Sequence, residues 1–256
     1  FNTQAFGNIG TPLISKVDQL SPDVPIILEL SSYQIYSSPT LVCNTSVILN
    51  ITQDHLAWHT TFEHYQLAKL GLIRSGVEHV YVPQNVVELE AFSASHSDVH
   101  VIDTLEKVVM PNLVGEHNYV NAAVMVDIAH SYGLSKDYIL DRLISFVLPP
   151  FRCQKVYESN NCMIINDSKA TNLAALKFAL NQTSEPYILI LCGDPDKEQY
   201  NVCEISGPTK VYIFGKHTKE ISEKVSHPEK ILFHNQDLSL VMKSIFKEVY
   251  DRQTTH

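Results

Sequence analysis

Four short polar clusters each follow an apolar run, and each has side chains able to bind a cation or an anion. In ELSSYQI, Glu29 to Ile35, a carboxylate ends a β-type stretch. Burial there is costly unless a cation or water meets it, so Glu29 reads either as an oxygen ligand for a hard divalent ion or as a solvated strand end. In NITQDHLAWH, Asp54 and His55 read as caps of the next helix, or His55 as a metal ligand through neutral imidazole. In TFEHYQLAKLGLI, helical spacing puts Phe62, Tyr65, Lys69, Leu72 and Ile73 on one face, so Lys69 points along the apolar side. There its amine either goes neutral, and can take up carbon dioxide as a carbamate, or snorkels to water on its four-carbon stem. In NDSKATN, Asp167, Ser168, Lys169, Thr171 and Asn172 crowd a turn that opens a helix. Free backbone amides beside Lys169 suit an anion. Thr171 or Asn172 also suits ordinary capping, which requires neither Lys169 nor Asp167.

Two further segments are of the same kind. GEHNYVNAAVMV sets Asn118 and Asn121 one turn apart on a helix expected to bury Ala122, Met125 and Ile128, and LILCGDPDK puts Gly193 through Lys197 in a turn after a strand.

The elements that must position these groups alternate along the chain. Strands are predicted at Pro25–Leu30, Thr45–Asn50, His79–Pro83 and Val99–Asp103, then at Cys162–Asn166, Tyr187–Cys192, Lys210–Phe214 and Lys230–Phe233. Continuous apolar strands separated by helices indicate α/β architecture, with parallel sheets covered on both faces. In such sheets ligands bind at the carboxyl ends of the strands, where all four clusters lie. Leu238, Val241, Met242, Ile245 and Val249 give a late helix its apolar stripe, and Leu173, Leu176 and Leu180 do so after NDSKATN. Pro149 and Pro150 in VLPPFR stop a helix near Phe146, dividing the chain into residues 1–148 and a Rossmann-like unit, 149–256. The second unit is expected to be incomplete, since a further strand would continue its alternation.

The 256 residues, 45% hydrophobic and 18% charged, match a folded globular chain rather than a disordered one. A net charge of −9 speaks against a nucleic-acid surface. There is no apolar run of the roughly 20 residues a membrane span needs, and no secretory signal at the start. Five scattered cysteines without a CxxC pair fit a reducing cytoplasm better than a disulfide scaffold or zinc knuckle.

GNIGTP, ELSSYQI, NITQDHLAWH, HYQLAKL, GEHNYVNA, FRCQ, NDSKATN and CGDPDK occur in the order of the corresponding motifs of Mur ligases, and the chain resembles that family from Gly7 to about Lys197. The resemblance implies a central ATPase-type domain followed by a C-terminal Rossmann-like domain, both incomplete. ELSSYQ together with NDSKATN is similar to the member that joins D-glutamate to UDP-N-acetylmuramoyl-L-alanine in peptidoglycan precursor synthesis, and the DNPR string of the diaminopimelate- or lysine-adding member is absent. The implied chemistry is ATP-driven amide formation through an acyl phosphate, by a cytoplasmic monomer. The resemblance makes Glu29, His55 and a carbamylated Lys69 the Mg2+ site. It sets Asn8 and Ser31 on the UDP precursor, and Asn118, Asn121, Arg152 and Asp167 on the nucleotide. Lys169, Thr171 and Lys197 would meet D-glutamate and the transferring phosphate.

The chain departs from the family at several points. Ala57 stands where Asp is usual, and FRCQ replaces HR(F/M)E around Arg152. A phosphate-cradling GxxGK(S/T) loop belongs about twenty residues before GNIG. The one GK pair, Gly215–Lys216, is followed by His217 and fails the pattern. The expectation is a piece lacking that loop, the uridine-gripping N-terminal domain and a C-terminal D-glutamate segment, inactive alone. Two other readings compete: another ligase of the superfamily, such as a folylpolyglutamate synthase, and a non-catalytic binding module.

Overall fold

The computed structural model describes residues 3–74, 76–94, 97–102, 116–159, 162–194, 204–226, 230–233 and 237–254. Two compact units result, Phe1–Gln53 with His59–Ser145, and Asp54–Trp58 with Phe146–His256.

In the first unit β1 (Gln4–Gly7) pairs in parallel with β2 (Ile26–Glu29), Gly7 opposite Glu29. Gly7 has φ +101°, and a Cβ there would lie 2.2 Å from the Glu29 carbonyl oxygen. Only glycine allows the strands this approach. β2 is a correction to the covered strand expected at Pro25–Leu30, because Ile26, Ile27 and Glu29 are exposed. Next comes α1 (Ser32–Tyr36), opened by a capping box between Ser31 and Gln34.

The larger sheet of this unit is β3 (Thr45–Val47), β4 (His79–Val82) and β5 (Asp98–Val101), all parallel in that order. Between its strands run α2 (Leu56–His59), α3 (Phe62–Leu70) and α4 (Gln84–Val87), and α5 (Glu116–Ser131) and α6 (Lys136–Ile144) follow. Two-residue alternation in β4 feeds both faces of the sheet. Val80 and Val82 join Ile48, Tyr65, Leu70 and Val86 on one side, while Tyr81 joins Ile102 and Val124 on the other. Each such side chain contributes roughly 1.5–3 kcal/mol by leaving water. Here the expected two-sided parallel sheet is present. On α5 the residues turned to it are Val120, Val124 and Ile128, and Met125, expected inside, is 41% exposed.

The second unit opens with β6 (Gln154–Ser159) and β7 (Cys162–Asn166), then α7 (Leu173–Asn181), β8 (Ile188–Leu191), β9 (Lys210–Ile213), α8 (Thr218–Lys224), β10 (Ile231–Phe233) and α9 (Leu238–Thr254). The sheet order β10-β9-β8 is parallel, and its core is Ile205, Val211, Ile213, Ile221, Val225 and Ile231. Leu173, Leu176 and Leu180 pack on that core. On α9 Val241 is fully buried, but Leu238, expected in the same stripe, is exposed.

β6 was not anticipated, and it pairs antiparallel with β7, so the second unit is not purely parallel. All six of its residues are exposed. A strand with no buried face carries no apolar signal to read.

Candidate functional site

Backbone pairing of β1 with β2 brings Asn8 to Glu29. The Asn8 backbone N–H donates to the Glu29 carbonyl at 2.8 Å, and its side-chain amide donates to Glu29 Oε1 at 3.1 Å. The carboxylate is exposed and oriented by an amide, so the desolvation cost anticipated for it does not arise. Ser31, half-buried, is engaged within its own turn. Its hydroxyl accepts from the Gln34 backbone N–H (3.3 Å) and contacts Gln34 Oε1 at 3.1 Å.

Lys69, near the end of α3, is half-buried with its ammonium 5.3 Å above the ring of buried Tyr65. That places the amine between the two alternatives open from sequence, neither deep in the core nor extended into water. The same region holds His59, which is fully buried. Its Nε2 and the buried Ser32 hydroxyl share a hydrogen bond of 2.8 Å, and its ring stacks on Tyr33 and meets His64 and Tyr65 edge-on. Asn118 and Asn121 lie on α5, the first half-buried and the second exposed.

In the second unit the turns FRCQ and NDSKATN fold against each other. Asp167 Oδ1 accepts the Cys153 backbone N–H (3.0 Å), and the Lys169 backbone N–H donates to the Phe151 carbonyl (3.1 Å). Phe151 and Cys153 both have positive φ, 68° and 43°, a strained backbone that the Asp167 and Lys169 bonds hold in place. Arg152 sits between them, exposed, and Lys169 and Thr171 are exposed on the facing turn. The structure therefore brings Arg152, Asp167 and Lys169 into one turn pair. The N-cap of α7 is Asn172, whose side chain accepts from Ala175 N–H at 2.8 Å.

Asn172 also donates to Asp54 Oδ2 at 3.2 Å, while Asp54 Oδ1 accepts the His55 backbone N–H at 2.7 Å. Asp54 thereby fixes His55, itself at φ 57° and with a side chain one-third exposed. Sequence reasoning gave Asp54 only a capping role and did not join it to Asn172. An acid just before a histidine, needing a partner when buried, was the available signal. Lys197 lies outside the described residues. Of the expected Mg2+ ligands, Glu29 and Lys69 belong to the first unit and His55 to the second.

The Cys153 thiol titrates above its ordinary value. Partial desolvation is the main cause, the Asp167 carboxylate adds to it, and Arg152 opposes both. Raising the pKa leaves less thiolate at a given pH, and the thiolate is the nucleophile. Asp167→Asn should therefore speed alkylation of Cys153 by iodoacetamide at pH 8, by roughly threefold or more. Peptide mass spectrometry at this cysteine reads the rate, and an unchanged rate would show that Asp167 does not govern the thiol.

The Mur ligase middle domain family matches residues 9–86. The chain is 41% identical over 209 residues to the UDP-N-acetylmuramoylalanine--D-glutamate ligase of Zymomonas mobilis subsp. mobilis, covering 77% of this chain and 46% of that protein. It is 30% identical over 276 residues to the protein of the same name from Buchnera aphidicola subsp. Baizongia pistaciae, covering 97% of this chain and 61% of the relative. The chain thus spans about half the length of the curated relatives it matches. In fold it is similar to MurF ligase from Thermotoga maritima, solved in complex with ADP, with a TM-score of 0.71 at 13% identity over 95% of this chain and 72% of that one.

Proposed function

The chain belongs to the Mur ligase family, and on that premise we propose that it is part of an ATP-dependent ligase joining D-glutamate to UDP-N-acetylmuramoyl-L-alanine. The observation that carries this reading is the likeness, across three-quarters of the chain, to ligases of that name. In the reaction a carboxylate oxygen of the precursor attacks the γ-phosphorus of ATP, and ADP leaves. The amine of D-glutamate then attacks the acyl carbon, forming the amide and releasing phosphate. Positioning and charge neutralisation supply most of the rate in such transfers.

Arg152 and Asp167 would hold the nucleotide from the strained turn pair, with Asn118 and Asn121 contributing from α5. Lys169, Thr171 and Lys197 would meet the amino-acid substrate and the transferring phosphate, and Asn8 and Ser31 the UDP precursor. Asn8 would do so while orienting Glu29. Glu29, His55 and Lys69 would hold Mg2+. The exposed Glu29 carboxylate suits a hard cation. Lys69 suits it only as a carbamate, because an ammonium has no lone pair to give. The ion, when bound, neutralises charge on the transferring phosphoryl group.

Phosphate release from ATP, measured on the full-length protein, tests the proposal. Release should require both UDP-N-acetylmuramoyl-L-alanine and D-glutamate. Turnover with L-glutamate on a folate acceptor would transfer the assignment to a folylpolyglutamate ligase, and no turnover with any acceptor would favour a binding module.

A further inference from the structure

A second group of ligating side chains lies at the amino ends of β4 and β5, on the sheet face covered by α5. The parallel register sets His79 beside Asp98 and Tyr81 beside His100, so strand alternation turns all four to the same face. Asp98 Oδ2 is 3.7 Å from His79 Nδ1 and 3.1 Å from His100 Nε2. One ligand atom from each of the three lies within 4.8 Å of the others.

The His100 ring is held from two further directions. It stacks on Tyr81, centroids 4.3 Å apart and planes within 10°, and its Nδ1 lies 3.5 Å from Asp127 Oδ2 on α5. The Tyr81 hydroxyl faces the same Asp127 carboxylate. A proton on Nδ1 pointing at Asp127 leaves Nε2 as the lone-pair nitrogen. That Nε2 is buried and makes no hydrogen bond among the described residues, although the Asp98 oxygen stands 3.1 Å away outside hydrogen-bond geometry. A lone pair facing an anionic oxygen is repulsive, and a shared cation converts the repulsion into ligation.

We propose that His79, Asp98 and His100 bind a divalent transition-metal ion of the zinc class, with Asp127 orienting the His100 imidazole. Two imidazoles and one carboxylate favour such borderline ions over Mg2+, and three protein ligands leave room for water. Tetrahedral ligands at zinc distances stand about 3.3 Å apart. The His100–Asp98 pair is already at that spacing, and His79 and Asp98, with side chains 40% and 66% exposed, can rotate inwards. A histidine backed by a carboxylate is the usual second partner of such ions. The bound ion would tie β4 to β5 and, through Asp127, to α5. The site is separate from Glu29, His55 and Lys69 and does not depend on the ligase reading.

Titration of the chain with Co2+ in excess Mg2+, followed by displacement with Zn2+, tests the site. One equivalent should give a visible d–d band that Zn2+ removes. His79→Gln and Asp98→Asn should each weaken Zn2+ binding at least about tenfold, and Asp127→Asn about 10- to 100-fold. Thermal melts without metal establish that the variants are folded. If Asp98→Asn or Asp127→Asn is destabilised, the exposed His79→Gln decides. Zn2+ affinity unchanged in His79→Gln, or no Co2+ band in the parent chain, overturns the proposal. The first of these outcomes would place any bound zinc on cysteines or other histidines.

Discussion

Lys69→Ala abolishes ATP-dependent phosphate release by the full-length ligase, with an expected fall on the order of 10³-fold or more. The expectation rests on the position of this amine, half-buried on α3 over the Tyr65 ring. Only the neutral amine, with its lone pair, takes up carbon dioxide. Alanine removes both the amine and the oxygen donor its carbamate would supply. A small carboxylate such as formate should restore part of the rate by filling the space with an anion. Lys69→Arg should stay inactive despite keeping the charge, since guanidinium does not form the carbamate. The melting temperature of Lys69→Ala, measured alongside, should remain close to that of the parent. An active Lys69→Ala enzyme would remove the carbamate from the proposed site.

His59→Ala should cost about 3–5 kcal/mol of stability, read from urea unfolding. The ring is fully buried, so its loss leaves a cavity between Tyr33, His64 and Tyr65. It also leaves the Ser32 hydroxyl, itself 3% exposed, without its 2.8 Å partner. His59→Phe should fall between the two, because it fills the space but still strands that hydroxyl. A loss below about 1 kcal/mol for alanine would mean that the neighbouring rings collapse into the gap.

What could be read from sequence was whatever leaves a local pattern. Apolar runs located β4, β7, β8 and β9 to within a residue or so, and the helix-opening chemistry of NDSKATN announced a cap, which the structure assigns to Asn172. What escaped was pairing across the chain. Asn8 meets Glu29 across 21 positions, and Asp54 meets Asn172 across 118. Neither partner signals the other, because strand register and tertiary folding create the contact. His79 and His100 were hidden differently. Each sits in an apolar-looking strand, and only the β4–β5 register reveals that they share a face with Asp98. The covering of β2 was misjudged, because its apolar run reads as a core strand whereas Ile26 and Ile27 are exposed, and Glu29 stands exposed at the strand end.

The close approach of Gly7 to the Glu29 carbonyl makes the aim of the Glu29 carboxylate depend on a residue with no functional group. A methyl at position 7 would wedge the two strands apart and carry the amide of Asn8 out of reach of Glu29. If Glu29 holds the proposed ion, selection on its chemistry falls equally on the hydrogen atom that stands where Gly7 could have had a side chain, and a substitution tolerance map would mark both positions alike.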